Sequence, residues 1–569
     1  MSKRDTWIIS NFTAAQLKLE ESFFEQNLSG YNFYSTKEQA SNLNWFCEGY
    51  FLPRINCGLH CSESIKNAEN LKNKYGDNFI NYSKGTFTLI NFSPIGFKIY
   101  SDRFGIKKFF YWIDGDKVIF TNDINIITRA IAPQISNESV AVYSLTYHFI
   151  GGITLFKNVY YNQPAQIFEF NGKGITISEY WNPVELIQEK ETSSKKEIVS
   201  TLKLCFNQYK AFVDGNSISL SLTAGVDSRI MFSLLSDTNP HAYTYGQSNS
   251  IDCIIAHEIA STIGIEHKVY DFHATEQLFK EYAKKSVSTG LSLCSLHRAH
   301  RLWAIEQESE FANVMFIGTM GGEFVKGVNR DNYIVADFIY KFIENSRNDT
   351  IAKHLTAQGL NVSQVDIDLL NAFFRKQRWF QNPQHADLYV LSDISTHIHH
   401  SQNDTNFSNY LKTVITPYTD IDFLEVLFRS KYVYYRNRYP KNSFKGRLRN
   451  HEFSSDIQCA LNYSLAKIPY NSGFKASEYA FSKPLSVVLA RIRKRRYKVT
   501  SNFPLKEWMN TFVTNELTSM VQGNNSVTNL FEIEKMLHEI KTLETKNNEA
   551  FWLKYTTPIQ IKYIKEYFG

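Results

Sequence analysis

The sequence predicts two domains of different class: an α+β domain built on a mainly antiparallel sheet over residues 1–185, and an α/β domain with a parallel sheet and a helical extension over residues 186–569. Three observations predict this. Short strand-like runs broken by turns crowd the chain between Gly85 and Trp181. Strand and helix patterns then alternate from Ile218 to Ile317, as they do where helices cover a parallel sheet. Beyond about residue 330 the apolar spacing is almost all helical, and no internal repeat is visible.

Within the first domain the strand signals are Thr86–Phe92, Phe97–Tyr100, Phe109–Trp112, Val118–Phe120 and Gln166–Phe170. These runs are rich in aromatic and β-branched residues, which suit a pleated, half-buried surface. After Trp181-Asn182-Pro183, the charged connector Glu189–Lys196 leads into an amphipathic helix with Ile198, Leu202, Cys205 and Phe206 on one side. The second domain continues with a strand at His241–Tyr245, a helix from about Asp252 to Ile263, and a strand at Val314–Ile317.

The most informative stretch lies between the connector helix and that second strand. Ile218, Leu220 and Leu222 alternate with small hydroxyl residues as a strand does, while Ile230, Met231, Leu234 and Leu235 have helical spacing. Between them, Thr223, Ala224 and Gly225 are small enough for a backbone to approach an anion, and the helix opening near Asp227 and Ser228 aims its free N–H groups there. Neither Gly-Lys-Ser/Thr nor G-x-G-x-x-G is present, so the Walker and dinucleotide fingerprints are excluded. An acidic Asp227 beside bound phosphate makes sense if a divalent metal bridges the two anions. An ordinary turn capped by Asp227 or Ser228 fits the same residues.

Composition narrows the class of protein. At 569 residues, 43% hydrophobic and 21% charged, the chain is long enough for two sizeable cores. A net charge of +6 gives no argument for nucleic acid, and no run of about 18 apolar residues suggests a membrane span. The dense basic cluster Arg491, Arg493, Lys494, Arg495, Arg496 and Lys498 reads as a solvated helix face. Seven scattered cysteines without a C-x-x-C pair fit reduced thiols, and no apolar signal segment follows Met1, so a cytoplasmic protein is expected.

Several separated segments together resemble one family. Thr223-Ala224-Gly225-Val226-Asp227-Ser228 is similar to the Ser-Gly-Gly-x-Asp-Ser pyrophosphate loop of asparagine synthetases, β-lactam synthetases and lasso-peptide cyclases. Ser250-Ile251-Asp252 with Gly264–His267, and Gly318–Phe324 with Gly327, resemble later segments of their synthetase domain. Upstream, Ser101–Tyr111 and the run from Thr154-Leu155-Phe156 to Glu179-Tyr180-Trp181 resemble parts of their class II amidotransferase domain. Thr416-Pro417-Tyr418-Thr419-Asp420 sits where the family has a Pro-Phe-Leu-Asp turn.

The resemblance implies an N-terminal Ntn-hydrolase-like sheet sandwich and a C-terminal domain like the adenine-nucleotide α-hydrolases. It also implies ATP and Mg2+ as cofactors. Leu222, Thr223, Ala224, Gly225, Val226, Asp227, Ser228, Tyr245 and Gly318 are then nucleotide-binding, with Asp227 and Glu323 holding metal. The family activates a carboxylate as an acyl-adenylate and lets an amine attack it, using a lysine from its helical part on the oxyanion. The candidates here are Lys467 and then Lys475, with Glu323 a third catalytic group.

Departures from the pattern shape the expectation. Glutamine-hydrolysing members use an N-terminal cysteine whose free amine activates its own thiol, whereas residue 2 is serine and the first cysteine is Cys47. No glutaminase activity is expected. The family's Gly-x-Gly-x-Asp-Glu loop has Gly322 in place of its aspartate, and Lys326-Gly327-Val328 stands where Gly-Gly-Tyr is common. The substrate is therefore expected to be a small molecule or peptide carrying both a carboxylate and an amine, ring closure included, with a precursor-peptide-processing protease as a partner. An ammonia-dependent asparagine synthetase and a silent nucleotide-binding scaffold are the alternatives, and the oligomeric state stays open. His397, His399 and His400 lack the spacing of converging metal ligands, and His267 fits either the nucleotide pocket or simple packing.

Overall fold

A computed structural model describes residues 5–20, 22–28, 30–37, 44–59, 61–94, 96–171, 174–187, 190–271, 275–290, 293, 296, 299–327, 334–435, 451–496, 505–523, 526–542 and 549–568. Its strands are β1 (Trp7–Ser10), β2 (Phe24–Leu28), β3 (Tyr31–Ser35), β4 (Trp45–Pro53), β5 (Ser83–Ser93), β6 (Gly96–Ser101), β7 (Phe110–Asp114), β8 (Lys117–Thr121), β9 (Val159–Tyr161), β10 (Gln166–Phe170), β11 (Ile175–Glu179), β12 (Ile218–Ser221), β13 (His241–Gly246), β14 (His267–Asp271), β15 (Val314–Phe316) and β16 (Thr413–Ile415).

The first eleven strands make two antiparallel sheets, ordered β2-β3-β1-β8-β7-β9 and β11-β10-β6-β5-β4. Period-two alternation decides how they stack. Trp7, Ile9, Phe33, Val118 and Phe120 of one sheet meet Phe46, Ile90, Phe92, Phe97, Ile99, Phe168 and Phe170 of the other in an aromatic core. The opposite faces are apolar too. Ile8, Tyr34 and Ile119 pack with Ile124, Ile126 and Ile127 of helix Ile124–Ile131, and Phe51, Phe87 and Leu89 pack with Ala68 and Leu71 of helix Ser64–Tyr75. The result is four layers: helix, sheet, sheet, helix.

All five strand signals read in the first domain fall on β5, β6, β7, β8 and β10. Four earlier strands carried weaker signals. β1 is only four residues, all buried, and β2 is an edge strand that leaves Phe24 about half exposed. β4 is interrupted by Cys47-Glu48-Gly49, where Gly49 takes φ 90° and a Cβ would stand 2.2 Å from the Thr86 carbonyl oxygen.

The later strands form one sheet, ordered β14-β13-β12-β15-β16, in which every pairing is parallel. The connector helix spans Lys195–Phe212, capped by Ser194, and buries Ile198, Leu202, Cys205 and Phe206. β16 is a three-residue strand inside the region whose pattern reads as helical, too short for periodicity to reveal. The chain runs from β12 outward through β13 to β14 and then returns to place β15 on the other side of β12. That reversal opens a crevice at the carboxyl ends of β12 and β15, the place where open α/β sheets take ligands.

The two halves meet along a buried, charged seam. Lys84 Nζ of β5 lies 2.9 Å from Asp420 and 3.0 Å from Asp422, and Arg54 lies 2.8 Å from Asp422 and pairs with Glu425. Cys205, Asp420 and Asp422 are grouped closely enough to hold a metal. Lys84 already supplies the positive charge there. Among the described residues no helix is long and apolar enough to cross a membrane.

Candidate nucleotide-binding site

The loop after β12 holds itself in shape. The Thr223 N–H donates to Ser228 Oγ, the Gly225 N–H to Thr223 Oγ1, and the Ala224 N–H to Asp252 Oδ1, each at 3.1 Å. Those three amides are therefore occupied, contrary to the expectation that the loop backbone itself is free to grip an anion. What remains open is the first turn of helix Val226–Leu235, which no side chain caps. Its neighbours at Lys195, Ile251 and Glu276 are each capped by a Ser or Thr hydroxyl. An uncapped first turn at the crevice favours negative charge.

Two carboxylates face this turn. Burial, and then the nearby Glu323 carboxylate, push the Asp227 carboxyl up to about 7, against the pull of Lys326 and the Gly322 amide. Glu323 Oε2 is buried and has no hydrogen-bond partner. Buried polar groups are ordinarily satisfied, so an orphaned carboxylate oxygen beside a second acid can be met by a cation, a proton or a water.

Glycines let the acidic loop approach so closely. A Cβ at Gly318 would stand 2.7 Å from Met231 Cε, and one at Gly321 would stand 2.8 Å from Asp227 Cγ. Met320, between them, holds φ 70°, a left-handed conformation that is strained for a side chain of this kind.

The crevice is a cavity of about 330 Å3. Thr223, Gly225, Asp227, Ser228, Tyr245, Gly318 and Glu323 line it, together with Tyr243, Arg301 and Phe407, which sequence reasoning did not single out. Leu222 and Ala224 do not face it. Both are fully buried in the core, and Val226 packs toward Ala466 and Tyr470. The side chains of these three residues therefore support the loop from behind.

Neither expected lysine lines the cavity. Arg229, buried in the helix after the loop, donates to the carbonyls of Leu465, Ile468 and Pro469 and lies 4.2 Å from the Tyr470 ring. That docking turns Lys467 outward, exposed, with Nζ 5.3 Å from the Tyr463 ring. Lys475 is half-buried and precedes helix Ala476–Phe481. The lysine that does stand near the carboxylates is Lys326, whose Nζ lies 2.9 Å from the Cβ position of Gly322.

Of the histidines considered from the sequence, His267 and His397 do not line this cavity. His267 Nε2 pairs with Thr244 Oγ1 at 2.8 Å, and burial lowers its pKa to about 4. His397 is buried and stacks on Tyr161 at 5.5 Å. A larger cavity, about 890 Å3, lies between the first half and the helices around residues 369–394, where Arg378 is already paired with Asp393 and Glu179. Ser2, Val328, Lys498 and the side chains of His399, His400 and Arg496 lie outside the described residues.

Comparison with known proteins gives a partial match. No family model matches the chain. Over 132 residues it is 28% identical to asparagine synthetase [glutamine-hydrolyzing] 3 of Bacillus subtilis (strain 168). That alignment spans 22% of this chain and 21% of the relative, so about a fifth of each protein is compared. Among solved structures, a B. subtilis glutamine phosphoribosylpyrophosphate amidotransferase complexed with ADP and GMP is 10% identical, covering 48% of this chain and 86% of its own. Its TM-score of 0.20 is too low to bear on the fold.

Proposed function

We propose that the second half, from about residue 186, is an ATP-dependent, AMP-forming C–N ligase of the asparagine-synthetase type. The observation that carries this reading is the orphaned Glu323 carboxylate facing Asp227 across an uncapped helix start, at the switch point of a parallel sheet. The similarity to an asparagine synthetase over a fifth of the chain supports it.

In this reading ATP lies in the 330 Å3 cavity with its phosphates toward the first-turn amides of helix Val226–Leu235 and the Ser228 hydroxyl. Asp227 and Glu323 suit a divalent cation, since both are oxygen donors and Lys326, though it attracts Asp227, leaves Glu323 Oε2 without a hydrogen-bond partner. A bound Mg2+ supplies positive charge for the departing pyrophosphate. The substrate carboxylate attacks the α-phosphorus, forming an acyl–phosphate bond as the α–β bridge breaks. An amine then attacks the acyl carbon and expels AMP. Tyr243, Tyr245 and Phe407 wall the cavity against water, which would otherwise hydrolyse the adenylate. An amine on the same molecule gains from effective molarity, worth roughly 7–11 kcal/mol in well-oriented cases.

We further propose that the first half, an Ntn-hydrolase-like sandwich, hydrolyses no glutamine. Burial pushes the Cys47 thiol up to about 12, which supports this reading by disfavouring its thiolate. ATP–pyrophosphate exchange across a panel of carboxylates tests the ligase reading. Exchange driven by one carboxylate supports it, and asparagine formed from aspartate and ammonia identifies the ammonia-dependent variant. MgATP binding with no exchange for any acid leaves a nucleotide-binding scaffold. One observation favours that second reading: Gly322 carries no acid, and Lys326 places an ammonium in the space a side chain there would enter.

A further inference from the structure

We propose that the first half of the chain sets the geometry of the nucleotide site through one buried side chain, Tyr418, acting as a positioning residue. The inference rests on the nucleotide reading given above and adds to it the partner that holds the site in place. Tyr418 belongs to the turn after β16, between Thr416 and Asp422, and the first half grips that turn at both ends.

At one end the Tyr50 hydroxyl of β4 lies 3.2 Å from Thr416 Oγ1 and accepts the Thr416 N–H at 3.2 Å, while Thr86 Oγ1 of β5 lies 3.1 Å from the same Thr416 hydroxyl. At the other end, Lys84 pairs with Asp420 and Asp422, and the Ile55 N–H donates to Asp422 Oδ2 at 2.9 Å. Every one of these partners comes from the antiparallel sandwich or the loop that follows β4. The turn is fastened to the first half, not to its own sheet alone.

Between those anchors Tyr418 is fully buried behind the cavity wall. Its hydroxyl donates to the main-chain carbonyl of Asp227 at 2.8 Å. Its ring lies against Gly321, where a Cβ would stand 2.8 Å from Tyr418 Cε2 and equally 2.8 Å from Asp227 Cγ. One side chain therefore touches both walls of the cavity: the helix start that carries Asp227 and the loop that carries Glu323. A catalytic group displaced by about 1 Å can lose on the order of 100-fold in rate, so a brace of this kind bears directly on function.

Two conservative variants test the relay. Tyr418→Phe keeps the ring against Gly321 and removes only the hydroxyl; Tyr50→Phe removes the anchor on Thr416 from the other side of the seam. By calorimetric titration with MgATP well below the melting temperature, each is expected to bind about 5- to 10-fold more weakly than the wild type. The double variant is expected to be no weaker than the worse single, because residues acting in series are not additive. Amide hydrogen exchange is expected to quicken in both variants at residues 223–231, with the strands of the sandwich unchanged, which a general loss of stability does not produce. Unchanged affinity and exchange in Tyr50→Phe, or multiplying effects in the double variant, overturn the proposal. A wild type that binds no MgATP defeats the nucleotide reading instead, and the exchange at 223–231 then still decides whether the first half holds the loop.

Discussion

The seam between the halves and the cavity beside it both bury acids, and they treat them in opposite ways. At the seam, Asp420 accepts from Lys84 Nζ, from the Tyr209 hydroxyl and from the Asp422 amide, and Asp422 is held below the usual carboxylate range against burial, by Lys84 and then Arg54. In the cavity, Asp227 is pushed up by burial and by another acid, and Glu323 Oε2 has no hydrogen-bond partner. Residue type does not separate the two clusters. A buried acid paired with a cation of the protein reads as architecture, and one less fully balanced is the candidate for a ligand.

The largest effect that could break this contrast belongs to the seam. Lys84→Met leaves two buried carboxylates without their ammonium, and a loss of about 3–5 kcal/mol is expected in urea unfolding. A change under about 1 kcal/mol would mean that the seam is not a balanced cluster. The cavity is expected to behave in reverse. Asp227→Asn should abolish Mg2+-dependent nucleotide binding while leaving the ligand-free protein as stable as the wild type or slightly more so, since a buried amide costs less than a buried carboxylate. Calorimetry with MgATP and thermal unfolding without it report the two effects separately.

Smaller changes sharpen the comparison. Gly321→Ala drives a methyl against both Asp227 and Tyr418, so about 1–3 kcal/mol of stability and most nucleotide affinity should go together. Lys467→Ala removes an exposed ammonium, and less than a twofold change in nucleotide binding is expected. The smallest effect depends on pH. Glu308 hydrogen-bonds His241 and raises its pKa, so folding favours the protonated ring. The added stability is complete below about pH 6.5 and fades as pH rises through the higher folded value. Solvent reaches part of the ring, so the contribution should stay under about 1 kcal/mol, and His241→Asn should flatten the slope of stability against pH.

How much of this was legible in the sequence depended on whether a local pattern carried it. β12, its loop and the following helix were readable because the apolar period changes from two to 3.6 within a few residues, from Leu220 to Leu234. Thr223, Asp227, Ser228, Tyr245, Gly318 and Glu323 do line one cavity. Inward-facing Leu222, Ala224 and Val226 could not be told from their neighbours, since which side of a loop meets solvent is a tertiary fact. Lys467 shows the same limit: only the Arg229 contacts reveal that its segment docks with the lysine outward. Tyr418 gave no signal as a site residue, because its role arises from elements more than 190 residues apart, as does Tyr50's contact with Thr416 across 366. The crevice itself follows from strand order, which spacing along the chain does not encode.

The most direct test of the central claim is calorimetric titration of the wild type and Asp227→Asn with MgATP and with ATP in a chelator. The wild type is expected to bind MgATP and to bind ATP much more weakly without the metal, and Asp227→Asn is expected to lose that metal dependence. Equal binding by both proteins with and without Mg2+, or none by either, would contradict the claim.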